Sequence, residues 1–263
     1  MNTFSKQDIS GGGAGSGSSG QAAAIVLVAA IAWIWVAATN WEMPAGWSSD
    51  ICRTQPGAPW ETRDFLDTAG MWLIMMVAMM SPTVLPWALA LRKSPARQDN
   101  GDISIAVAPA FVAGYLIAWS VFSILASLVQ WQLASRGLLT SAMLIEDRRA
   151  GALVLLAVGA YQWTPLKDAC LKHCASPVAY FLTHWHEGSG GAALLGFQHG
   201  LYCVGCCWLL MFFMLLVGAM NLFWMALVSA YVLVEMYVSR MRWVSKVVGG
   251  VAVLFGLAGL IAT

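Results

Sequence analysis

Long apolar stretches separated by short polar ones dominate this chain. A membrane-spanning helix needs about 20 largely apolar residues. Seven stretches qualify, roughly 21–40, 69–91, 104–129, 150–164, 199–217, 221–238 and 243–262. The fourth is short, with 14 core residues from Ala150 to Trp163, a length that also suits a re-entrant or half-membrane helix, so six full spans are an alternative. Apolar sequence continues almost unbroken from Leu201 to Val238, too long for one span. Gly218-Ala219-Met220-Asn221 supplies a glycine stop and an asparagine start, which predicts a tight helical hairpin. The expected fold is all-α, a polytopic transmembrane helical bundle of about seven spans occupying residues 21–263, with interfacial helices near 165–186.

Ahead of the first span, Gly11 to Gly20 is almost entirely glycine and serine, so residues 1–20 read as a disordered tail or linker. The apolar run from Ala22 to Thr39 exceeds the roughly 7–15 residues of a signal-peptide core, and its leader carries both Lys6 and Asp8, so it reads as a retained span. Composition agrees: 59% of the chain is hydrophobic and 10% charged, against roughly 45–50% and about 25% in soluble domains. A net charge of +1 gives no electrostatic case for nucleic acid. The expected partner surface is the lipid bilayer. With seven spans and a cytoplasmic amino terminus, nine of the Lys and Arg residues fall inside and five outside, the bias of a multi-pass bacterial inner-membrane protein. Tryptophans near span ends, such as Trp41, Trp72, Trp87, Trp163 and Trp208, read as interfacial anchors.

Against this apolar background, five of six cysteines fall in two clusters, Cys170-Leu171-Lys172-His173-Cys174 and Cys203-Val204-Gly205-Cys206-Cys207, separated by 28 residues. Thiolate and imidazole are ligands for soft and borderline metals. At 100° per residue, His199, Cys203, Cys206 and Cys207 stand at about 0°, 40°, −20° and 80°, one helix face. Cys170, His173 and Cys174 share an arc if Thr164 caps a helix beginning at Pro165. Both clusters are expected at the cytoplasmic end, where thiols stay reduced. Cys52 stands alone in the first outer loop and reads as a spectator or intermolecular disulfide partner. His184 and His186, spaced i and i+2, point to different helix faces and read as surface or packing residues.

Met71, Met75 and Met79 form a stripe on the second span, with Met76 and Met80 on another face. Thioether sulfur suits Cu(I), so these five residues are a candidate metal path, although methionine is also an ordinary packing residue. Glu235 is an expensive charge in an apolar span. Pairing with Lys246, snorkelling, or a supporting role behind the metal ligands would each account for it, and Gln198 is a further candidate in that supporting role. Asn221 is expected to cap the sixth span. No GxxxxGK[ST] loop, G-x-S-x-G elbow or HExxH motif is present, and no catalytic residues emerge.

The segments MMVAMMSPTVLPW at 75–87, YQWTPLKDACLKHC at 161–174, GFQHGLYCVGCCWLLM at 196–211 and GAMNLFWMALV at 218–228 resemble a bacterial family of metal-binding integral membrane proteins, classed as a domain of unknown function. The likeness runs from about residue 65 to 240. It implies a multi-helix membrane fold and metal binding, without settling metal, transport or catalysis. Within the matching motifs it singles out Met75, Met76, Met79 and Met80; Cys170, His173 and Cys174; and His199, Cys203, Cys206 and Cys207.

Together these readings predict a membrane protein that binds a soft transition metal, Cu(I) first and zinc second, for transport or for delivery to a metallochaperone or membrane metalloprotein complex. Two rivals stand beside it. One is a membrane thiol-disulfide oxidoreductase built on the CxxC and vicinal thiols. The other is a structural, zinc-containing subunit of a membrane complex.

Overall fold

A computed structural model describes residues 16–41, 61–91, 106–139, 145, 147–174, 188–218, 221–237 and 242–262. The described residues form eight helices and no strand: α1 Ser16–Trp41, α2 Thr62–Leu91, α3 Val107–Ser135, α4 Arg148–Tyr161, α5 Pro165–Cys174, α6 Gly188–Val217, α7 Leu222–Tyr237 and α8 Arg242–Ile261. The all-α expectation holds. Four of them, α2, α3, α6 and α8 from Trp243, are long and apolar enough to cross a membrane, and α7 and the Ala23–Ala38 stretch of α1 are shorter apolar helices. At 14 residues α4 is about 21 Å long, short of a roughly 30 Å hydrocarbon layer. Large apolar side chains such as Ile117, Ile124, Leu254 and Phe255 face outward, as a lipid-facing surface requires.

Helix α1 starts at Ser16, inside the glycine- and serine-rich stretch, because propagation from an apolar helix adds a hydrogen bond per residue even through poor helix formers. The rest of the expected tail, residues 1–15, lies outside the described residues. So do Cys52, His184, His186 and the Ala219-Met220 centre of the expected hairpin turn. Around that centre, Gly218 has φ +98° and Asn221 caps α7, its Oδ1 accepting from the backbone N–H groups of Phe223 (3.1 Å) and Trp224 (3.3 Å).

The span expected at 199–217 is longer than its hydropathy suggested. Helix α6 extends back to Gly188, so Cys203 is the sixteenth of its 30 residues and the thiols sit mid-helix, not at its mouth. Small residues in this added segment lower its hydropathy but build an interface. A Cβ on Gly196 would stand 1.9 Å from the Phe111 carbonyl oxygen of α3, and one on Gly114 would stand 1.9 Å from that of Ala193. Such close backbone approach is how membrane helices gain contact without a hydrophobic driving force. The pair α4 and α8 uses the same device at Gly159, where a Cβ would lie 2.6 Å from the Gly249 oxygen.

Helix α2 contains Pro82 and Pro86. Proline lacks an N–H, so Pro82 leaves the Ala78 carbonyl without its helical donor. Trp33 of α1 supplies one through Nε1 at 2.9 Å. The neighbouring carbonyls are also taken by side chains: Met79 by Ser229 Oγ (3.0 Å), Met80 by Thr83 Oγ1 (2.7 Å), and Thr83 by Tyr237 Oη (2.5 Å). In a dry interior each such carbonyl needs a partner. The proline turn thereby becomes the point where α1, α2 and α7 are tied together.

Candidate metal centre

The CVGCC run sets three thiols at i, i+3 and i+4 on α6, and their sulfur atoms lie within 4.8 Å of one another. All three side chains are buried, at 0–1% exposure. The thiols of Cys206 and Cys207 each donate to the Cys203 carbonyl at 3.0 Å. A fourth thiol arrives from α5. Cys174 is fully buried in the same core cluster, beside Cys203 and Cys206 but outside the close group of the three α6 sulfurs. Helix α5 exists because Thr164 caps it, Oγ1 accepting from the Lys167 N–H at 3.3 Å, ahead of Pro165. It packs on α6 across Gly205, where a Cβ would come within 2.9 Å of Cys170 Sγ.

His199, one turn before Cys203, is 1% exposed and lies in an aromatic stack. Its ring centroid is 3.7 Å from that of Trp87, 5.6 Å from Tyr115 and 6.0 Å from Phe111. Its Nε2 is buried with no hydrogen-bond partner among the described residues, a position that asks for an explanation. Tyr115 Oη contacts Cys203 Sγ at 3.4 Å, Thr83 Oγ1 at 2.8 Å and the Met80 carbonyl at 3.3 Å. Trp87 Nε1 donates to the Cys174 carbonyl at 3.1 Å and so ties the end of α5 to α2. His173 points away from this group. It is exposed, stacks on Tyr202 at 4.4 Å, and its Nδ1 contacts the Ala169 oxygen at 2.8 Å.

The profile of the PpoB2 family, described as copper chaperone, matches residues 69–259. The chain belongs to this family. No curated protein and no solved structure matches it. For a member of the PpoB2 copper chaperone family, the donor set is chemically apt: clustered thiols flanked by buried thioethers suit a soft ion such as Cu(I) better than oxygen-seeking cations. A metal-binding, copper-related role follows from the family and the buried thiol triad together.

In this PpoB2 member Met75, Met76, Met79 and Met80 are fully buried and Met71 is 5% exposed. All five belong to the same core cluster as Cys174, Cys203, Cys206 and Cys207. Glu235 is not among the thiols. Its Oε1 pairs with Lys167 Nζ at 2.5 Å and accepts from Tyr231 Oη at 2.8 Å and from Ser245 Oγ, while Lys167 also donates to Gln162. The cation paired with Glu235 is therefore Lys167, not Lys246, because α5 folds back against α7 and carries Lys167 inward. Gln198 is half-buried and stands about 100° round α6 from His199, on the flank of the thiol face.

Sequence reasoning missed Tyr115, Thr83 and the role of Trp87. Trp72 and Trp87 are not interfacial anchors. Both are fully buried, and Trp72 Nε1 donates to Gln130 Oε1 at 2.6 Å. Trp163 and Trp208, at 51% and 37% exposure, do face outward. A tyrosine within an apolar span was the available signal for Tyr115, since a buried hydroxyl needs a partner.

Proposed function

We propose that this chain is a multi-pass inner-membrane carrier that takes Cu(I) as its cargo on Cys203, Cys206, Cys207 and Cys174 and hands it to a metalloprotein partner. The observation that carries this reading is the buried thiol triad of α6, with Cys174 of α5 in the same core cluster, in a PpoB2 family member. Each thiol that takes metal gives up its proton. Tyr115 positions Cys203. Trp87 holds the Cys174 end of α5 in place. His199, stacked on Trp87, offers an unpaired imidazole nitrogen beside Cys203. Burial excludes water and competing thiols while the cargo is held.

Release then depends on α5, the short helix that brings one thiol and is not itself a span. The excess of Lys and Arg in the expected inner loops favours a cytoplasmic amino terminus. An oxidoreductase fits less well. Adjacent residues such as Cys206 and Cys207 have Cα atoms about 3.8 Å apart, below the roughly 4.4–6.8 Å that disulfides span. The i, i+3 pair is sealed from any soluble thiol partner.

The test is elemental analysis and X-ray absorption on protein purified anaerobically without a metal-binding tag. Stoichiometric copper in a sulfur-rich shell, lost in Cys203→Ser/Cys206→Ser and retained in Cys52→Ser, is the expected result. Equal metal content in all three proteins removes the site. Reversible disulfide cycling without metal returns the redox reading to first place, and four-coordinate zinc favours the structural one.

A further inference from the structure

The thiols do not end the buried sulfur. Helices α2 and α6 run antiparallel, and three contacts fix their register: Trp87 beside His199, the Tyr115 hydroxyl bridging the Met80 carbonyl to Cys203, and Trp72 beside Phe212 with ring centroids 6.3 Å apart. Moving along α2 from Met80 toward Trp72 therefore means moving along α6 from Cys203 toward Phe212. These anchors put Met211 level with the stretch from Trp72 to Met75, and Met214 level with residues 69–72, the turn that holds Met71. Helix α7 runs parallel to α2, with Ser229 on the Met79 carbonyl and Tyr237 on that of Thr83. One turn back on each helix, Met225 comes level with Met75.

Met75, Met76, Met211 and Met225, from three helices, thus fall within about one turn of one another along the bundle, about 6 Å at 1.5 Å rise per residue. All four are fully buried, as is Met214 one turn further on. All of these residues lie in one continuous core cluster with the cysteines.

We infer that Met75, Met76, Met211 and Met225 form a second site for a soft monovalent cation, Cu(I) or its surrogate Ag(I), reached from the thiol cluster. The inference rests on the thiol reading above and extends it by giving the cargo a place to go. Thioethers are uncharged and carry no proton, so the ion gains soft donors there without displacing hydrogen. They bind more weakly than thiolates, which suits a site an ion passes through. The neighbouring Met71 and Met214 would continue the same chemistry by one further turn. Oxygen-preferring ions find no charged or oxygen ligand among these four side chains.

The experiment uses the full-length chain labelled with selenomethionine, loaded anaerobically with excess Cu(I) and measured at the copper absorption edge. Selenium marks methionine and sulfur then marks cysteine, so the two sites separate in one spectrum. The expected result is both copper–sulfur and copper–selenium neighbours, with more copper bound than in unlabelled Met75→Leu/Met76→Leu/Met211→Leu/Met225→Leu protein. Leucine matches methionine in volume, so the variant keeps its packing. Copper with sulfur but no selenium neighbours overturns the methionine site and leaves the thiol reading standing. Selenium neighbours persisting in a labelled form of the quadruple variant overturn the assignment to these four residues. Absence of copper altogether overturns the thiol reading, and this one with it.

Discussion

Removing one member of the Lys167–Glu235 pair is the sharpest stability test the fold offers. The two side chains are 1% and 3% exposed and meet at 2.5 Å. In Lys167→Met the carboxylate keeps only the Tyr231 and Ser245 hydroxyls as donors. In Glu235→Gln the ammonium keeps only neutral partners, Gln162, the new amide oxygen and the face of the Tyr231 ring, 5.6 Å away. Breaking a buried pair in this way costs about 3–5 kcal/mol, mostly the burden of a desolvated charge left without its counterion. At about 1.4 kcal/mol per tenfold, the folding equilibrium shifts by roughly two to four decades. Lys167→Met/Glu235→Gln removes both charges and is expected within about 1 kcal/mol of the parent, since neutral replacements of buried pairs are often tolerated. The assay is denaturant unfolding in detergent followed by tryptophan fluorescence, read as a double-mutant cycle with an expected coupling of at least about 2 kcal/mol. Single variants that both unfold within 1 kcal/mol of the parent would refute the reasoning. Because Lys167 lies on α5, the single variants should also speed metal exchange at Cys174.

Other expectations follow from single contacts. Gly196→Ala must force α3 and α6 apart, so a loss of about 1–3 kcal/mol or of folded yield is expected, whereas Gly190→Ala has nothing within 4 Å and should be neutral or slightly stabilising in the same thermal assay. Trp87→Phe keeps a ring on His199 but removes the donor to the Cys174 carbonyl; a cost of about 1 kcal/mol with faster metal release, followed by competition with a Cu(I) chelator, is expected, and unchanged release would count against the tie. In a Cys52→Ser background, Cys170 is half-buried while the other four thiols are buried, so it should be alkylated first by a water-soluble maleimide. Burial, and then Cys206, push its pKa above the ordinary thiol value, so at pH 8 it holds less thiolate and should react more slowly than free cysteine, gaining rate as pH rises. Labelling of Cys203 ahead of Cys170 in a mass-spectrometric time course would contradict the burial order.

Much of this was legible in the sequence because the signals were local. The i, i+3, i+4 spacing of the α6 thiols, the Thr164-Pro165 start of α5 and the Asn221 cap each depend on a few neighbouring residues, and the structure has all three. Depth was not legible. Hydropathy discounted Gly188 to Gln198, where glycines serve a helix interface, and so it placed the thiols at a helix end. Partners across helices were also hidden: nothing near Glu235 in sequence points to Lys167, and nothing near Trp87 points to His199. Those pairings depend on how the helices pack, which a periodicity reading cannot reach.

The Cys203 carbonyl, which accepts from both the Cys206 and Cys207 thiols, ties one backbone group to the protonation of two of the proposed ligands. Those bonds exist only while the sulfurs carry protons. If metal replaces those protons, as proposed, the same oxygen would face electron-rich sulfur, and both side chains would turn off it. On the proposed function, loading would change the rotamers of two cysteines and the vibrational frequency of one backbone carbonyl, so a single isotope label at Cys203 would let infrared spectroscopy count loaded molecules without observing the metal.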